Sequence, residues 1–284
     1  MTWKLQIKGI KKITCPSCGY KNRMTRYVNE LGQIAPEIYG CCDRKNHCGY
    51  NNRPDSNTKP SPIKVPPPLP ISYTDPGMVN RDYKHNNLYL FLKNKFGSQE
   101  ANKACKMYEI GSSEHWPMST IFWFKDIEMR YRGGMIIKYN TNGKRVREPF
   151  SHNTYVHKAL KMQGYNYSMC LFGEHLVKSS VKTIAIVEAP KSAIIGNIMW
   201  PDYLWIATNG LTTLQPYFLE PLKGRDIVLF PDKQPDEFSE QTQWIKDYWI
   251  KKIPSLQKIC KSVTIFDPLY DTKEGTDIAD ILID

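Results

Sequence analysis

The chain has 284 residues, enough for one large domain or for two to three small ones. Its 41% hydrophobic and 24% charged residues are typical of a globular protein that buries a core. No apolar run reaches the roughly 18 residues of a membrane-spanning helix, so we expect no membrane span. Residues 1–12 lack the apolar block of a signal peptide, and we expect a cytoplasmic protein.

Charge is unevenly distributed along the chain, whose net charge is +11. Residues 1–180 hold 28 Lys and Arg against 13 Asp and Glu, whereas residues 181–284 hold 11 against 15. A basic front part favours binding to nucleic acid, and an acidic back part favours a site that concentrates carboxylates.

Five of the eight cysteines lie within residues 15–48. They form two groups, each beside a tight turn, and four thiolates arranged as two pairs satisfy tetrahedral zinc. The spacing alone leaves Cys41 and His47 as competing ligands. The ligands that we predict are Cys15, Cys18, Cys42 and Cys48.

Four protein ligands leave no open position, so this zinc is expected to be structural. A segment of 53 residues builds little core, and the ion supplies folding energy instead. We therefore predict a zinc-ribbon domain over 1–53. Cations that bind phosphate and rings that stack on bases are interleaved in it, which favours single-stranded DNA as its ligand. The cations are Lys11, Lys12, Lys21, Arg23, Arg26, Arg44 and Lys45, and the rings are Tyr20, Tyr27, Tyr39 and Tyr50.

Residues 54–76 contain eight prolines in 23 positions, which predicts a semi-rigid linker. A basic, mixed α+β subdomain is predicted over 77–180. Apolar residues recur at helical spacing over 85–109. Further on, the sequence predicts strands at 121–124 and 135–139, with a hairpin turn at Asn142-Gly143.

From residue 181 to residue 284, continuous apolar strands alternate with helices, which predicts an α/β domain with a parallel sheet. The predicted strands are 184–187, 204–207, 227–230 and 263–266. The predicted helices are 190–199, 212–219, 237–252 and 277–283. Such sheets place their sites beyond the carboxyl ends of the strands.

Carboxylates follow several of these strands. Glu188 ends the first strand, Asp232 follows the third, and Asp277 and Asp280 follow the fourth. Acids that meet at one edge of a sheet repel one another, and a divalent cation such as Mg²⁺ relieves that repulsion. The alternative is that each acid merely caps a helix.

The stretch 184–283 resembles a Toprim domain, the metal-binding fold of bacterial primases, topoisomerases and some nucleases. The matching motifs are Glu188 in IAIVEAPKSA, Gly210 in IATNGL and Asp232 in IVLFPDKQPD. The resemblance implies that Glu188 acts in acid/base chemistry or binds metal, and that Asp232 begins an Asp-x-Asp pair that holds magnesium. The chain departs from the motif, because Gln234 stands at the second Asp and Asp236 lies two residues on. Two further departures are Ala189, where the motif has a Gly directly after its Glu, and Ser192, where it has an Asp four residues after that Glu.

The order of zinc ribbon, basic middle domain and Toprim domain resembles bacterial DNA primase. The middle piece, which includes IFWFKDIEMRYRGGMIIKYN, is similar to primase-like proteins of bacterial mobile elements. That resemblance implies a basic groove facing the metal site. The predicted phosphate-binding residues are Arg132, Lys138, Lys144 and Arg145. For Lys144 and Arg145, which follow a turn, the alternative is that they are simply solvated. Lys191 joins them because it adds an ammonium to the positive end of the helix after Glu188.

These inferences predict a primase-like nucleotidyltransferase that makes short primers on single-stranded DNA for replication. Mg²⁺ or Mn²⁺ at Glu188 and Asp232, with Asp236 or Asp280, would align a 3′-hydroxyl with a nucleoside triphosphate. No P-loop motif is present, so a replicative helicase would be a separate partner. The alternatives are a non-catalytic nucleic-acid-binding accessory protein and a Toprim nuclease.

Overall fold

The computed structural model describes residues 2–6, 11–61, 70–232, 248–266 and 278–283. The chain forms two compact units, Met1–Pro70 and Ile71–Asp284. Within the described ranges, no helix has the length and apolar character to cross a membrane. The predicted ends of the linker and the predicted division of the second unit at residue 180 stay predictions.

The first unit is a four-stranded antiparallel sheet in the order β1-β2-β3-β4. Its strands are β1 (Trp3–Leu5), β2 (Met24–Asn29), β3 (Gly40–Cys42) and β4 (Asn51–Asn52). A single-turn helix, α1 (Lys45–Cys48), connects β3 to β4. The buried apolar clusters contain few residues, one around Trp3 and Tyr27 and one around Met24. A core this small favours a fold that a metal ion completes.

The second unit begins with a long helix and an antiparallel sheet. Helix α2 (Asn87–Met107) is capped by Asn86, whose side chain accepts a hydrogen bond from the Tyr89 N–H. The helix kinks at Gly97, where φ is 85°. The sheet follows the order β5-β6-β7-β8. Its strands are β5 (Gly111–Ser113), β6 (Ser119–Lys125), β7 (Tyr131–Ile137) and β8 (Asn153–Tyr155). After β8 comes the short helix α3 (Val156–Ala159).

The segment between β7 and β8, residues 138–152, is here named the basic hairpin. Tyr139 pairs with Arg145 across it, and the Gly143 N–H donates to the Asn140 carbonyl at 3.1 Å, which places a turn where the sequence predicts one. Gly143 has φ of 77°, and a Cβ there would lie 2.9 Å from the ring of Phe91 on α2. Glycine is therefore required both by the backbone and by the close packing of the turn on α2.

A parallel sheet in the order β10-β9-β11-β12 completes the unit, as the sequence predicts. Its strands are β9 (Ile184–Val187), β10 (Leu204–Ala207), β11 (Asp226–Leu229) and β12 (Ser262–Ile265). The helices are α4 (Pro190–Met199), α5 (Pro216–Leu219), α6 (Ile253–Leu256) and α7 (Ile278–Ile283). Burial of β9 and β10 on both faces explains their continuous apolar sequence.

One of the predicted helices differs from what the structure describes. The one over 212–219 is wrong in extent: a 3-10 turn at Leu211–Thr213 precedes α5, because Pro216 disfavours helical geometry at Gln215 and so starts a new helix. Most of the predicted helix over 237–252 lies outside the described residues.

Both sheets of the second unit border one apolar core. Phe172 pairs with Ala207 at the edge of the parallel sheet and stacks on Tyr108, with ring centroids 5.2 Å apart. The Tyr108 hydroxyl donates to the Trp205 carbonyl of β10 at 2.8 Å. The end of α2 is thereby fixed to the parallel sheet.

Candidate metal centre and strand-end carboxylates

Four cysteines of the first unit come together. The Sγ atoms of Cys15, Cys18, Cys42 and Cys48 all lie within 4.8 Å of one another. Among the residues that the structure describes, they are the only group of three or more potential metal ligands this close together.

The spacing of the sulfurs fits zinc. The Cys15 and Cys48 Sγ atoms are 3.7 Å apart, and those of Cys18 and Cys42 are 3.9 Å apart. A tetrahedron with Zn–S bonds of about 2.3 Å has sulfur–sulfur edges of about 3.8 Å. The cluster can therefore hold Zn²⁺ with little rearrangement, and four thiolates would leave no position for a substrate.

Both loops that carry the ligands end in a left-handed glycine. Gly19 follows Cys18 with φ of 69°, and Gly49 follows Cys48 with φ of 66°. The Gly19 N–H donates to the Cys15 carbonyl at 2.9 Å, which folds the first loop back on itself. Each loop thus turns its sulfurs toward the same point.

Hydrogen-bond donors support thiolate at this cluster. The pKa of Cys48 is lowered to about 6 by hydrogen bonds from the Ser17 side chain and the Tyr50 N–H. Burial raises the pKa of Cys42 to about 12, although the Arg44 N–H donates to it. A bound divalent cation would offset the cost of burying the Cys42 thiolate, since metal binding and thiol deprotonation are coupled.

Cys41 lies outside the group. Successive residues of a strand point to opposite faces, and Cys41 and Cys42 are adjacent on β3. The Cys41 Sγ lies 3.9 Å from the Cys42 carbonyl oxygen, and it takes no part in the sulfur cluster. The geometry thus selects Cys42, one of the two residues that the spacing left open.

The surface of the ribbon is less basic than the sequence indicates. Arg26 is only 5% exposed and donates to the Ala35 carbonyl, so its place among the surface cations is wrong. Lys12 is ion-paired with Asp43 at 2.6 Å. The Arg44 guanidinium lies over the Tyr20 ring at 3.9 Å from its centroid, an arrangement that keeps a cation and an aromatic face together at the surface.

In the second unit, two predicted acids follow adjacent parallel strands. Glu188 comes directly after β9, and Asp232 lies three residues beyond β11. The register pairs Leu229 with Ile186, and the Phe230 N–H donates to the Ile186 carbonyl at 2.9 Å. Both acids therefore lie at the carboxyl edge of the sheet, on neighbouring strands.

Glu188 is partly buried and held by a neighbouring loop. Its carboxylate accepts a hydrogen bond from the Leu211 N–H, and its backbone carbonyl accepts one from the Asn209 N–H at 2.8 Å. This loop turns through Asn209 and Gly210, with φ of 60° and 147°. Burial raises the pKa of Glu188, and the charge of Arg145 acts in the opposite direction.

That interaction with Arg145 brings the basic hairpin to the strand-end site. Arg145 and Lys144 are both exposed, and Lys138 is half-buried at the base of the hairpin. Lys191, also half-buried, is the second residue of α4, which begins two residues after Glu188. The positive charge of Arg145 thus acts on the Glu188 carboxylate, and the positive end of α4 lies two residues from Glu188 in sequence.

Of the other predicted site residues, Asp280 and Arg132 belong to different elements, and the rest lie outside the described residues. Asp280 is exposed in α7, which packs against α4. Gln234 and Asp236 lie outside the described residues, as does Asp277. Arg132 donates from Nε to the Asp126 carboxylate at 2.7 Å, so part of its charge is already neutralised.

Sequence reasoning missed the buried acids around Arg132. Asp126 is fully buried, and although burial would raise its pKa, hydrogen bonds from Arg132 and Arg130 lower it. Glu174 accepts hydrogen bonds from the Ile127 and Leu171 N–H groups at 2.9 and 3.1 Å, and burial raises its pKa to about 7. Nothing in a linear pattern marks acids that meet across β6, β7 and a 3-10 helix.

Two family models match the chain, one in each of its two units. A zinc beta-ribbon finger family matches residues 1–63. The family described as a domain of unknown function, DUF6371, matches residues 86–233, more than half of the chain. Fold and site define a protein with a four-cysteine zinc ribbon followed by an α/β unit that carries strand-end carboxylates. The chain belongs to the DUF6371 family.

No curated protein matches the chain. Among solved structures, it is similar to the primase fragment of the bacteriophage T7 primase-helicase protein, with 14% identity, a TM-score of 0.40, and coverage of 93% of this chain and 91% of that one. It is also similar to a DNA primase domain from Pseudomonas aeruginosa, with 12% identity and a TM-score of 0.37, covering 68% of this chain and 57% of that one.

A third similar structure is the Aquifex aeolicus primase with its zinc-binding and RNA polymerase domains. The identity is 14% and the TM-score 0.36, with coverage of 99% of this chain and 77% of that one. The TM-scores of all three similarities are below 0.5.

Proposed function

We propose that the protein is a primase-like nucleotidyltransferase that joins nucleotides, supplied as nucleoside triphosphates, into short primers on single-stranded DNA. The proposed active site is a Toprim-like site at Glu188 and Asp232. One observation carries the proposal: the register of β9 and β11 brings both acids to the carboxyl edge of one parallel sheet. Open α/β sheets bind their ligands at that edge.

The two carboxylates suit a hard divalent cation, Mg²⁺ or Mn²⁺, because such ions prefer oxygen ligands. Glu188 and Asp232 would hold the ion, with Asp236 or Asp280 as a further ligand. The ion would stabilise negative charge on the phosphoryl oxygens during nucleotidyl transfer.

The cations beside Glu188 have a role of their own in this proposal. Arg145 and Lys191 would bind the triphosphate, while Lys138 and Lys144 would bind the phosphates of the template. Arg132 is expected to contribute less, because Asp126 already accepts its hydrogen bond. The zinc ribbon would hold the single strand through its cations and through Tyr20 beneath Arg44.

Two observations favour a second candidate, a non-catalytic nucleic-acid-binding accessory protein. Gln234, a neutral residue, stands where the Toprim motif has its second Asp. Arg145 already supplies a positive charge close to Glu188. Under this alternative, the acidic edge would be a remnant that an arginine neutralises.

Primer synthesis by the zinc-loaded full-length protein tests the proposal. The protein is incubated with single-stranded DNA, labelled nucleoside triphosphates and Mg²⁺ or Mn²⁺. We expect short labelled products that Glu188→Gln and Asp232→Asn each abolish. Asp226→Asn is the matched control, because Asp226 begins β11 at the opposite edge of the sheet and is paired with Lys261 at 2.9 Å.

Three results would count against the proposal. DNA binding without products would favour the accessory protein. Cleavage of labelled DNA without added nucleotides would indicate a nuclease that uses the same acids. Equal loss of products in Asp226→Asn and Glu188→Gln would show that damage to the sheet, rather than the site, is responsible.

A further inference from the structure

Four rings of the second unit follow one another from the β5–β6 connection to the basic hairpin. His115 contacts Trp116 with ring centroids 4.4 Å apart, Trp116 contacts His152 at 5.2 Å, and His152 stacks on Phe150 at 4.3 Å with an interplanar angle of 17°. We name these four residues the aromatic ladder. The ladder combines residues from the β5–β6 connection with residues from the hairpin.

The ladder is anchored at its centre and open at its ends. Trp116 packs against the buried cluster that includes Ile121 and Trp123, whereas Phe150 is 56% exposed and His115 is also exposed. His152 is fixed by its backbone, since its N–H donates to the Val146 carbonyl at 3.2 Å and its carbonyl accepts from the Lys138 N–H at 3.0 Å. Phe150 therefore offers a flat apolar face to solvent, backed by a second ring.

The hairpin that carries Phe150 and His152 is basic. The basic hairpin holds four cations, of which Lys144, Arg145 and Arg147 are exposed, against the single acid Glu148. Glu114 is the acid next to His115. A flat ring among cations suits a ligand that alternates planar bases with phosphates.

A second group of rings in the same unit is built differently. The rings of Tyr155, His157, Tyr165 and Tyr167 contact one another with centroids 4.8 to 5.6 Å apart. Tyr167 packs against Gly133, and its hydroxyl is buried. All four residues are partly buried, so none of these rings is as exposed as Phe150.

We propose that the aromatic ladder is a stacking surface for the unpaired bases of a single-stranded nucleic acid, with Phe150 as its outermost contact. The inference rests on the nucleic-acid-binding part of the proposed function and is independent of metal and of catalysis. Stacking on Phe150 requires a base, whereas contacts with Arg147 and Lys144 require only phosphate. These two contributions can therefore be separated by removing the bases.

The experiment compares the affinity for a single-stranded oligonucleotide with that for an abasic strand of the same length. Fluorescence anisotropy is measured on the zinc-loaded full-length protein without divalent metal or nucleotides. Phe150→Ala should weaken binding to the normal strand roughly 5- to 150-fold, the range for loss of one stacked base, and leave abasic binding unchanged. Phe150→Trp should retain the preference for the strand with bases.

Two controls separate stacking from folding and from charge. Tyr217 is an exposed tyrosine on α5 whose ring contacts that of Phe218, and Tyr217→Ala should alter neither affinity. Arg147→Ala should weaken binding to both strands by the same factor, because both carry the same phosphates. Unchanged thermal melting of Phe150→Ala would exclude unfolding as the cause.

The proposal is overturned if Phe150→Ala leaves the ratio of the two affinities unchanged, as it would if the ladder bound a protein. It is also overturned if the wild-type protein binds both strands equally. Primer synthesis without this base preference would support the proposed function and reject the aromatic ladder as a stacking surface. A base preference that depends on Phe150, in a protein that makes no primers, would support the stacking surface and reject the proposed function.

Discussion

Arg145, which extends from the basic hairpin, interacts electrostatically with Glu188 at the end of β9. The two residues are 43 positions apart in sequence and adjoin different sheets of the same unit: Arg145 lies between β7 and β8, and Glu188 follows β9. Burial raises the pKa of Glu188, and the arginine limits that rise. A cation bound at Glu188 would therefore meet a positive charge already in place.

Removal of Arg145 should strengthen divalent-cation binding at the strand-end site. Arg145→Gln eliminates the competing charge, so we expect Mn²⁺ to bind several-fold more tightly in a calorimetric titration. Arg147→Gln, an exposed cation of the same hairpin, serves as the control for net charge. Weaker binding in Arg145→Gln than in Arg147→Gln would mean that the arginine supports the ion instead of opposing it.

The choice of Cys42 over Cys41 can be tested by metal content. Cys42→Ser removes one sulfur of the cluster, and we expect the protein to lose its zinc and the fold of residues 11–61. Cys41→Ser, one position away and also buried, should retain one zinc per chain. Metal analysis, together with amide spectra of the first unit, provides the measurement. Loss of zinc in both variants would contradict the assignment.

Chelation of zinc should unfold the ribbon and spare the second unit. The first unit has only small apolar clusters, whereas the second has a continuous core around Tyr108, Phe172 and Trp205. We expect a chelator to abolish the signals of the first unit while the second unit retains its cooperative melting. Loss of that melting on chelation would show that the two units fold together.

The raised pKa of Glu174 predicts a pH-dependent stability. Its folded-state pKa of about 7 lies above the ordinary value of 4.5, so the folded protein binds the proton more tightly than the unfolded chain does. The stability from this group is fully present below about pH 4.5 and is lost as pH rises toward 7, by at most about 3 kcal/mol. Glu174→Gln should remove this slope.

Histidines act against Glu174 in the same window. Burial lowers the pKa of both His157 and His175, so their contribution to stability increases with pH up to about 6.5. The useful quantity is therefore the difference in unfolding free energy between wild type and Glu174→Gln across pH 4.5 to 7.5. A difference that does not change with pH would disprove the raised pKa.

Packing of the hairpin turn on α2 can be measured at Gly143. Gly143→Ala places a methyl group 2.9 Å from the Phe91 ring in a left-handed conformation, and we expect a loss of about 2–3 kcal/mol in unfolding free energy. Gly164→Ala has the same backbone cost at φ of 68° but meets no atom within 4 Å. It should therefore lose only about 1 kcal/mol. Equal losses would show that Phe91 moves aside freely.

Periodicity and spacing predict the parts of this molecule that depend on local sequence. Helix α4 begins at Pro190 and ends at Met199 as predicted, because a continuous apolar strand and a proline at the first helical position define its start. The cysteine spacing likewise predicts the ribbon, since both pairs are adjacent to turns. The positions of Glu188 and Asp232 at one edge follow from the general geometry of parallel sheets.

Contacts between distant segments could not be predicted in this way. The pairing of Asp126 with Arg132, the burial of Arg26 and the succession of rings from His115 to Phe150 all depend on tertiary packing. A basic residue in a linear pattern carries no sign of whether a carboxylate or a carbonyl will accept its hydrogen bond. For that reason the sequence predicts Arg26 at the surface, whereas the structure buries it.

The position of β9 in its sheet divides the strand-end site into two parts with different resistance to opening. This strand is flanked by β10 and β11, so its amides should exchange with deuterium only when the whole unit unfolds. The partners of Glu188 belong to connections, Leu211 to the loop after β10 and Arg145 to the hairpin. Their amides should exchange through local openings, which would let the surroundings of the carboxylate rearrange around a fixed backbone.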